Sequence, residues 1–228
     1  MLQRIRIQNF KSLHDVEFTP GPTNVFVGPN ASGKSNVLDA LKFIAAASAT
    51  NLIQAFNDRG GFQDVFWKGA GSRAAVAFEL DLLLPPRAGE PDAFSYRFEI
   101  EMNRTGGFSV VDETLTAPGS ASPLVEIVAG KLIARRLDGQ EVFSTFPGNK
   151  LALLESNVPG WAGTRVRDAL RDWRFYDLVP QAMKKIRPLA GAPVLWENGE
   201  NLTEFLLTLK TTHAAEFRQL ERAVQDCF

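Results

Sequence analysis

The chain has 228 residues, 45% of them hydrophobic, with 25 basic against 26 acidic side chains and a formal net charge of −1 at pH 7. That is enough for one large domain or two small ones around a sizeable core, and the near-neutral balance sets up no global field for nucleic acid. The single cysteine, Cys227, excludes an internal disulfide framework and a cysteine metal cluster; no apolar run approaches the roughly 20 residues of a membrane helix, and the first residues lack the apolar stretch of a signal peptide, so a cytoplasmic protein with no membrane partner is expected.

Residues 2–10 alternate, with Leu2, Ile5, Ile7 and Phe10 against Gln3, Arg4, Arg6 and Gln8, which predicts an edge or half-buried strand. Val16-Glu17-Phe18 predicts a second strand after a bend at Lys11-Ser12-Leu13, and Pro20-Gly21-Pro22 reads as a turn. Thr23-Asn24-Val25-Phe26-Val27 reads as a buried strand. Residues 35–49 read as a helix with Val37, Leu38, Leu41, Ile44, Ala45 and Ser48 on one face. Between the two stands Gly28-Pro29-Asn30-Ala31-Ser32-Gly33-Lys34-Ser35. It fits G-x-x-x-x-G-K-[ST], the phosphate-binding P-loop, in the strand–loop–helix context that motif requires.

Each residue type in the loop has a chemical reason. Gly28 and Gly33 let the backbone curl so that successive N–H groups point inward, and the positive end of the following helix adds to their attraction for phosphate oxygens. Lys34 sets a cation against the β- and γ-phosphates, and Ser35 offers its hydroxyl to Mg2+. Asn36 is either a further contact, to the α-phosphate, or an exposed helix residue. The expected ligands are ATP and Mg2+.

Asn57-Asp58-Arg59-Gly60-Gly61 reads as a loop, with Gln63-Asp64-Val65-Phe66-Trp67 leading out of it. From Arg73 the character changes. Residues 75–84, 94–102, 108–117, 124–128, 131–136 and 141–146 are strand-like, separated by turn residues that include Gly130 and Asp138-Gly139. Strands so closely spaced predict an antiparallel meander, a β-rich layer interrupting an α/β core. After Pro147-Gly148 the helical period returns in Val166, Leu170 and Trp173, then in Leu202, Phe205, Leu206 and Leu209 behind a capping box of Asn201 and Glu204, and last in Phe217, Leu220, Val224 and Cys227. Residues 173–177 read as a short strand or turn, and residues 181–187 as one or two helical turns.

Hydrolysis needs a carboxylate for Mg2+ and a group that positions water. Asp112-Glu113 ends the strand-like run from Phe108, and Asp81 follows Phe78-Glu79-Leu80, but both lie in the meander rather than beside the P-loop, so both are read as surface carboxylates. His14 and His213 read as surface residues. Arg165, Arg167, Arg171, Arg174, Lys184, Lys185 and Arg187 form a basic stretch offset by Asp168, Asp172 and Asp177, read as a solvated face ahead of a phosphate-contacting one.

Asn9-Phe10-Lys11-Ser12, followed at about twenty residues by Gly28-Pro29-Asn30-Ala31-Ser32-Gly33-Lys34-Ser35-Asn36, resembles the N-F-[KR]-S and G-x-N-x-[SA]-G-K-[ST]-[NT] motifs of ABC-type ATPases of the RecF, SMC and OLD kind. Residues 173–177 and 197–202 resemble softer landmarks of the bacterial predicted AAA ATPase branch. The resemblance implies an α/β P-loop NTPase fold, the N-terminal lobe of an ABC-type head. A β-meander arm and a helical C-terminal segment follow, in one incomplete domain divided at 1–72, 73–147 and 148–228. It implies that Lys11 and Ser12 lie near the nucleotide and Asn30 near the γ-phosphate, with Gln63 or Gln181 as the loop glutamine. It implies a C-terminal lobe, absent before Phe228, with the signature helix, metal carboxylate, catalytic Glu and switch His, and a homodimer of heads that sandwiches ATP. DNA or a nuclease is the implied partner, with DNA repair or phage defence as the setting. A self-contained P-loop kinase and a non-catalytic module stabilised by nucleotide are the alternatives.

Overall fold

Strand follows strand in this chain with only short turns between, so each pairs antiparallel with a neighbour in sequence or across α1–α3. The computed structural model describes residues 1–69, 75–103, 107–184 and 190–226. The strands are β1 (Leu2–Phe10), β2 (Leu13–Phe18), β3 (Ala75–Leu83), β4 (Ala93–Met102), β5 (Phe108–Thr116), β6 (Val125–Val128), β7 (Lys131–Arg135) and β8 (Glu141–Phe143). They form one eight-stranded sheet in the order β2-β1-β3-β4-β5-β6-β7-β8. The helices are α1 (Lys34–Ala49), α2 (Leu52–Asn57), α3 (Phe62–Val65), α4 (Ala152–Glu155), α5 (Ala162–Arg171), α6 (Pro180–Met183), α7 (Leu202–Thr212) and α8 (Ala214–Gln225). The chain forms two compact units, Met1–Trp173 and Arg174–Phe228.

In the first unit the period of two decides what is buried. Ile5 stands opposite Leu80 and Ile7 opposite Phe78, and these in turn oppose Tyr96 and Phe98, all fully buried. Val37, Ala40, Phe43, Ile44 and Ala47 of α1, Leu52, Ala55 and Phe56 of α2, and Val166 and Leu170 of α5 complete the same core. Phe43 is its hinge pin: its ring stacks on Phe78 (5.8 Å) and meets Phe10 (5.7 Å) and Phe56 (4.9 Å). The alternate positions carry charge, and Arg4 and Arg6 pair there with Asp15, Glu17 and Glu79.

Two readings need correction, and one is resolved. β1, read as an edge or half-buried strand, is half-buried and not at the edge: it lies between β2 and β3, because β3 returns beside it. For the same reason the meander is no separate layer, since β3 pairs directly with β1. Residues 23–27 are neither strand nor buried. They are exposed and lie in no strand, with Val25 at 81% and Val27 at 89%. An apolar segment becomes a strand only when neighbours take its backbone groups, and the described strands here are already joined in the antiparallel sheet. The turn before it is real: Asn24 accepts from the Gly21 N–H and donates to the Gly21 carbonyl.

In the second unit, backbone N–H groups of Asp177 and Val179 donate to the carbonyls of Glu197 and Asn198. Gly199 sits at φ +74°, where a Cβ would stand 2.9 Å from Met183 Cγ, so a side chain there would be strained and would push Met183 aside. Asn201 starts α7 without capping it. Its side chain instead accepts from the Trp196 N–H (2.8 Å) and donates to the Val194 carbonyl (2.9 Å), so the expected capping box is not made by Asn201. α6 is a single turn, and α8 buries none of its residues. Lys185, Arg187 and Cys227 of the sequence readings, and the boundary at residues 72 and 73, lie outside the described residues.

Candidate functional site

The site begins at the turn between β1 and β2. Asn9 and Lys11 both take positive φ, +55° and +50°, a conformation Asn tolerates better than most residues. That bend lets Lys11 N–H donate to the Val65 carbonyl and Trp67 N–H to the Asn9 carbonyl. The end of α3 is thereby stitched to the turn. Asn9 Nδ2 also holds the Ala75 carbonyl at 2.9 Å.

The 28–35 loop lies on this turn. Gly33 is at φ +93°, and a Cβ there would stand 3.1 Å from Leu13 Cδ2 and 3.2 Å from Ser12 Oγ. Glycine suits both that close approach and the positive φ. Asn36, one turn into α1, donates from Nδ2 to Ser12 Oγ at 2.6 Å, so the structure brings the 9–12 and 28–36 segments together. Lys34 folds back over the loop, and its Nζ donates to the carbonyls of Gly28 (2.8 Å) and Pro29 (2.6 Å) and to Ser32 Oγ (3.4 Å). The first intrahelical bonds run from Asn36 and Val37 N–H to the Gly33 carbonyl. The N–H groups of Gly33, Lys34 and Ser35 therefore precede the helical ladder and are not consumed by it. Ser35 is exposed beside them, as are Pro29, Asn30, Ala31 and Ser32. A glycine cradle closed by an ammonium, with uncommitted N–H groups at a helix start, fits a polyphosphate with its cation.

Two residues that the sequence reading missed complete the arrangement. Asp39, on α1, meets Lys11 Nζ at 2.6 Å and Arg59 Nε at 3.0 Å. Arg59 also bonds the carbonyls of Ala55 and Asp39 and covers the Phe43 ring. An acid on a helix otherwise read for its apolar face, and an Arg ahead of a Gly-Gly turn, were the available signals.

The other candidates stand as follows. Gln63 is exposed on α3, and Gln181 belongs to α6 in the second unit. His14 rests on the Trp67 ring (4.4 Å). Arg165 and Arg167 are structural straps rather than a solvated face: Arg165 bonds the carbonyls of Pro85 and Pro91, and Arg167 that of Ser156. Asp81 pairs with Arg4 (3.6 Å) and Asp112 with Arg97 (3.0 Å).

Glu113 departs from its reading as a surface carboxylate. A bulge makes Val111 the extra residue between the Ile100–Val110 and Glu99–Asp112 pairs, which turns Glu113 inward. There it is fully buried and accepts from Tyr96 OH (2.9 Å), Ala152 N–H (2.7 Å) and Leu153 N–H (2.8 Å). Burial pushes its carboxyl up to about 7 against the pull of those donors.

Residues 1–87, which contain both segments, match the AAA ATPase domain family. The chain is 33% identical over 130 residues to the chromosome partition protein Smc of Thermoplasma acidophilum, covering 52% of this chain and 11% of that one. It is 33% identical over 87 residues to the DNA replication and repair protein RecF of Lactobacillus acidophilus, covering 36% and 23%. With the OLD nuclease of Thermus scotoductus it shares 39% over 44 residues, covering 19% and 8%. The chain spans about a tenth of the length of the Smc relatives it matches. No helix among the described residues is long and apolar enough to cross a membrane. Residues 1–87 thus resemble the AAA ATPase domain family, and parts of the chain resemble Smc, RecF and OLD proteins.

Proposed function

We propose that this chain is the nucleotide-binding part of an ATPase of the RecF, Smc and OLD-like group, with a P-loop fold. Gly28, Pro29, Asn30, Ala31, Ser32, Gly33, Lys34, Ser35 and Asn36 hold MgATP, with Lys11 and Ser12 beside them. The observation that carries the reading is the 28–35 cradle, closed on itself by Lys34 and seated on the Ser12 turn. Mg2+ would be held by Ser35 and the phosphates, and when bound it would offset the charge that develops on the transferred phosphoryl group. Asp81, Asp112 and Glu113 are engaged elsewhere, so in this reading the metal carboxylate and the group that positions water come from another segment or chain. That segment would also pair with the exposed residues 23–27. Coupling to a second head, to DNA or to a nuclease follows by analogy with the relatives.

The test is MgATP binding and phosphate release by the purified chain with Lys34→Ala as control. The expected outcome is binding by the parent, none by the variant, and no turnover by either. Turnover by the parent would place a metal carboxylate within these residues, and absence of binding would overturn the reading.

A further inference from the structure

Lys11 and Lys34 are both held by the protein, in different ways. Lys34 is met by neutral carbonyls, whereas Lys11 is met by a charge. Asp39 carries two cations on one carboxylate. Arg59, whose side chain is 9% exposed, reaches Oδ1 with a directed Nε–H bond at 3.0 Å and a second nitrogen at 2.9 Å. Lys11, at 29% exposure, stands 2.6 Å from Oδ2, yet Oδ2 receives no directed hydrogen bond among the described residues. The Lys11 contact is coulombic, undirected and nearer to solvent. It is the more exchangeable of the two, because Lys11 makes a single-point contact and is 29% exposed, whereas the nearly buried Arg59 reaches Oδ1 with two nitrogens.

Removing Lys11 from this group leaves Asp39 neutralised by Arg59, so no buried charge is stranded. A polyphosphate at the 28–35 cradle would offer Lys11 a denser anion. Asp39 lies five positions beyond Lys34 on α1, a rise of about 7.5 Å, and Lys11 adjoins Ser12, whose Oγ accepts from Asn36 Nδ2 at 2.6 Å, so Lys11 stands beside the cradle.

Resting on the reading of the cradle as a nucleoside triphosphate site, we propose that Asp39 is a positioning residue that holds Lys11 away from the cradle. A bound triphosphate takes Lys11 over, and Arg59 stays behind as the counter-charge of Asp39. Asp39 thus sets the affinity of the empty site by competing for its second cation. A residue that only supports the fold would weaken binding when removed, whereas a competitor strengthens it.

The experiment is a cycle of MgATP affinities for the parent, Asp39→Asn, Lys11→Met and the double variant, with thermal unfolding measured alongside. Asp39→Asn is expected to tighten MgATP and Lys11→Met to weaken it, each by roughly fivefold, and Asp39→Asn is expected to change nothing in the Lys11→Met background. A tightening that persists in that background is only the field of a lost carboxylate and overturns the exchange, as does weaker binding by a folded Asp39→Asn. A parent that binds no MgATP overturns the site reading and this one together. Should Asp39→Asn fail to fold, a structure of the parent with a non-hydrolysable ATP analogue decides: Lys11 Nζ beyond 4 Å from Asp39 with Arg59 in place supports the exchange, and an intact Lys11–Asp39 pair overturns it.

Discussion

Glu113 shows what a single residue can reveal about its surroundings. Its carboxylate sits fully buried against Tyr96 and the first N–H groups of α4, and burial raises its pKa from 4.5 to about 7. The unfolded chain gives up this proton near pH 4.5 and the folded chain near 7. Between those values the folded state binds more protons, so stability falls as pH rises, opposite to the trend of a salt-bridged acid. Chemical denaturation from pH 4.5 to 7 is expected to show a loss on the order of 2–3 kcal/mol from this group. Glu113→Gln should flatten that slope, and should cost stability at low pH because its amide turns a donor toward backbone donors.

At the scale of elements, α1 is held by its apolar stripe and not by caps, for Gly33 offers no side chain to its N-terminus. Phe43 is the anchor, with rings of β1, β3 and α2 around it. Phe43→Ala should cost about 3–5 kcal/mol in denaturant unfolding, and MgATP binding should weaken with it, since the cradle is the start of the same helix. α1 and the meander were legible because a buried face repeats with the period of its element, although Leu38, read on the α1 face, is 48% exposed and Phe43, not read there, is fully buried. Less legible was anything that depended on a partner remote in sequence. Glu113 turns inward because of one extra residue at Val111. Asn201 forgoes its cap to bridge Val194 and Trp196. The apolar spelling of residues 23–27 says nothing about whether a neighbouring strand is there to receive it. At the site, the resemblance implied of Lys11 and Ser12 only that they lie near the nucleotide, and the Ser12–Asn36 contact and the charges around Asp39 came together only on folding.

For the whole molecule, the first unit lays its helices against one sheet face and leaves the charged face to solvent. Its β1–β2 hairpin is tied to β3 by backbone bonds and to α1 by the Phe10–Phe43 contact. The covalent path from hairpin to α1, however, runs through residues 23–27, which make no strand pairing. Such exposed backbone is where proteases cut. Residues 23–27 add only the edge-on contact of Phe26 with Phe18, so the two parts are expected to stay together when the link is cut. Limited chymotrypsin cleavage at Phe26 is expected to yield a nicked protein whose fragments co-elute on size exclusion and keep their sheet signal, while affinity for MgATP falls. Separation of the fragments would mean that the link itself holds the hairpin in place. Co-elution would make residues 1–26 an add-back peptide, and binding could then be switched on by mixing.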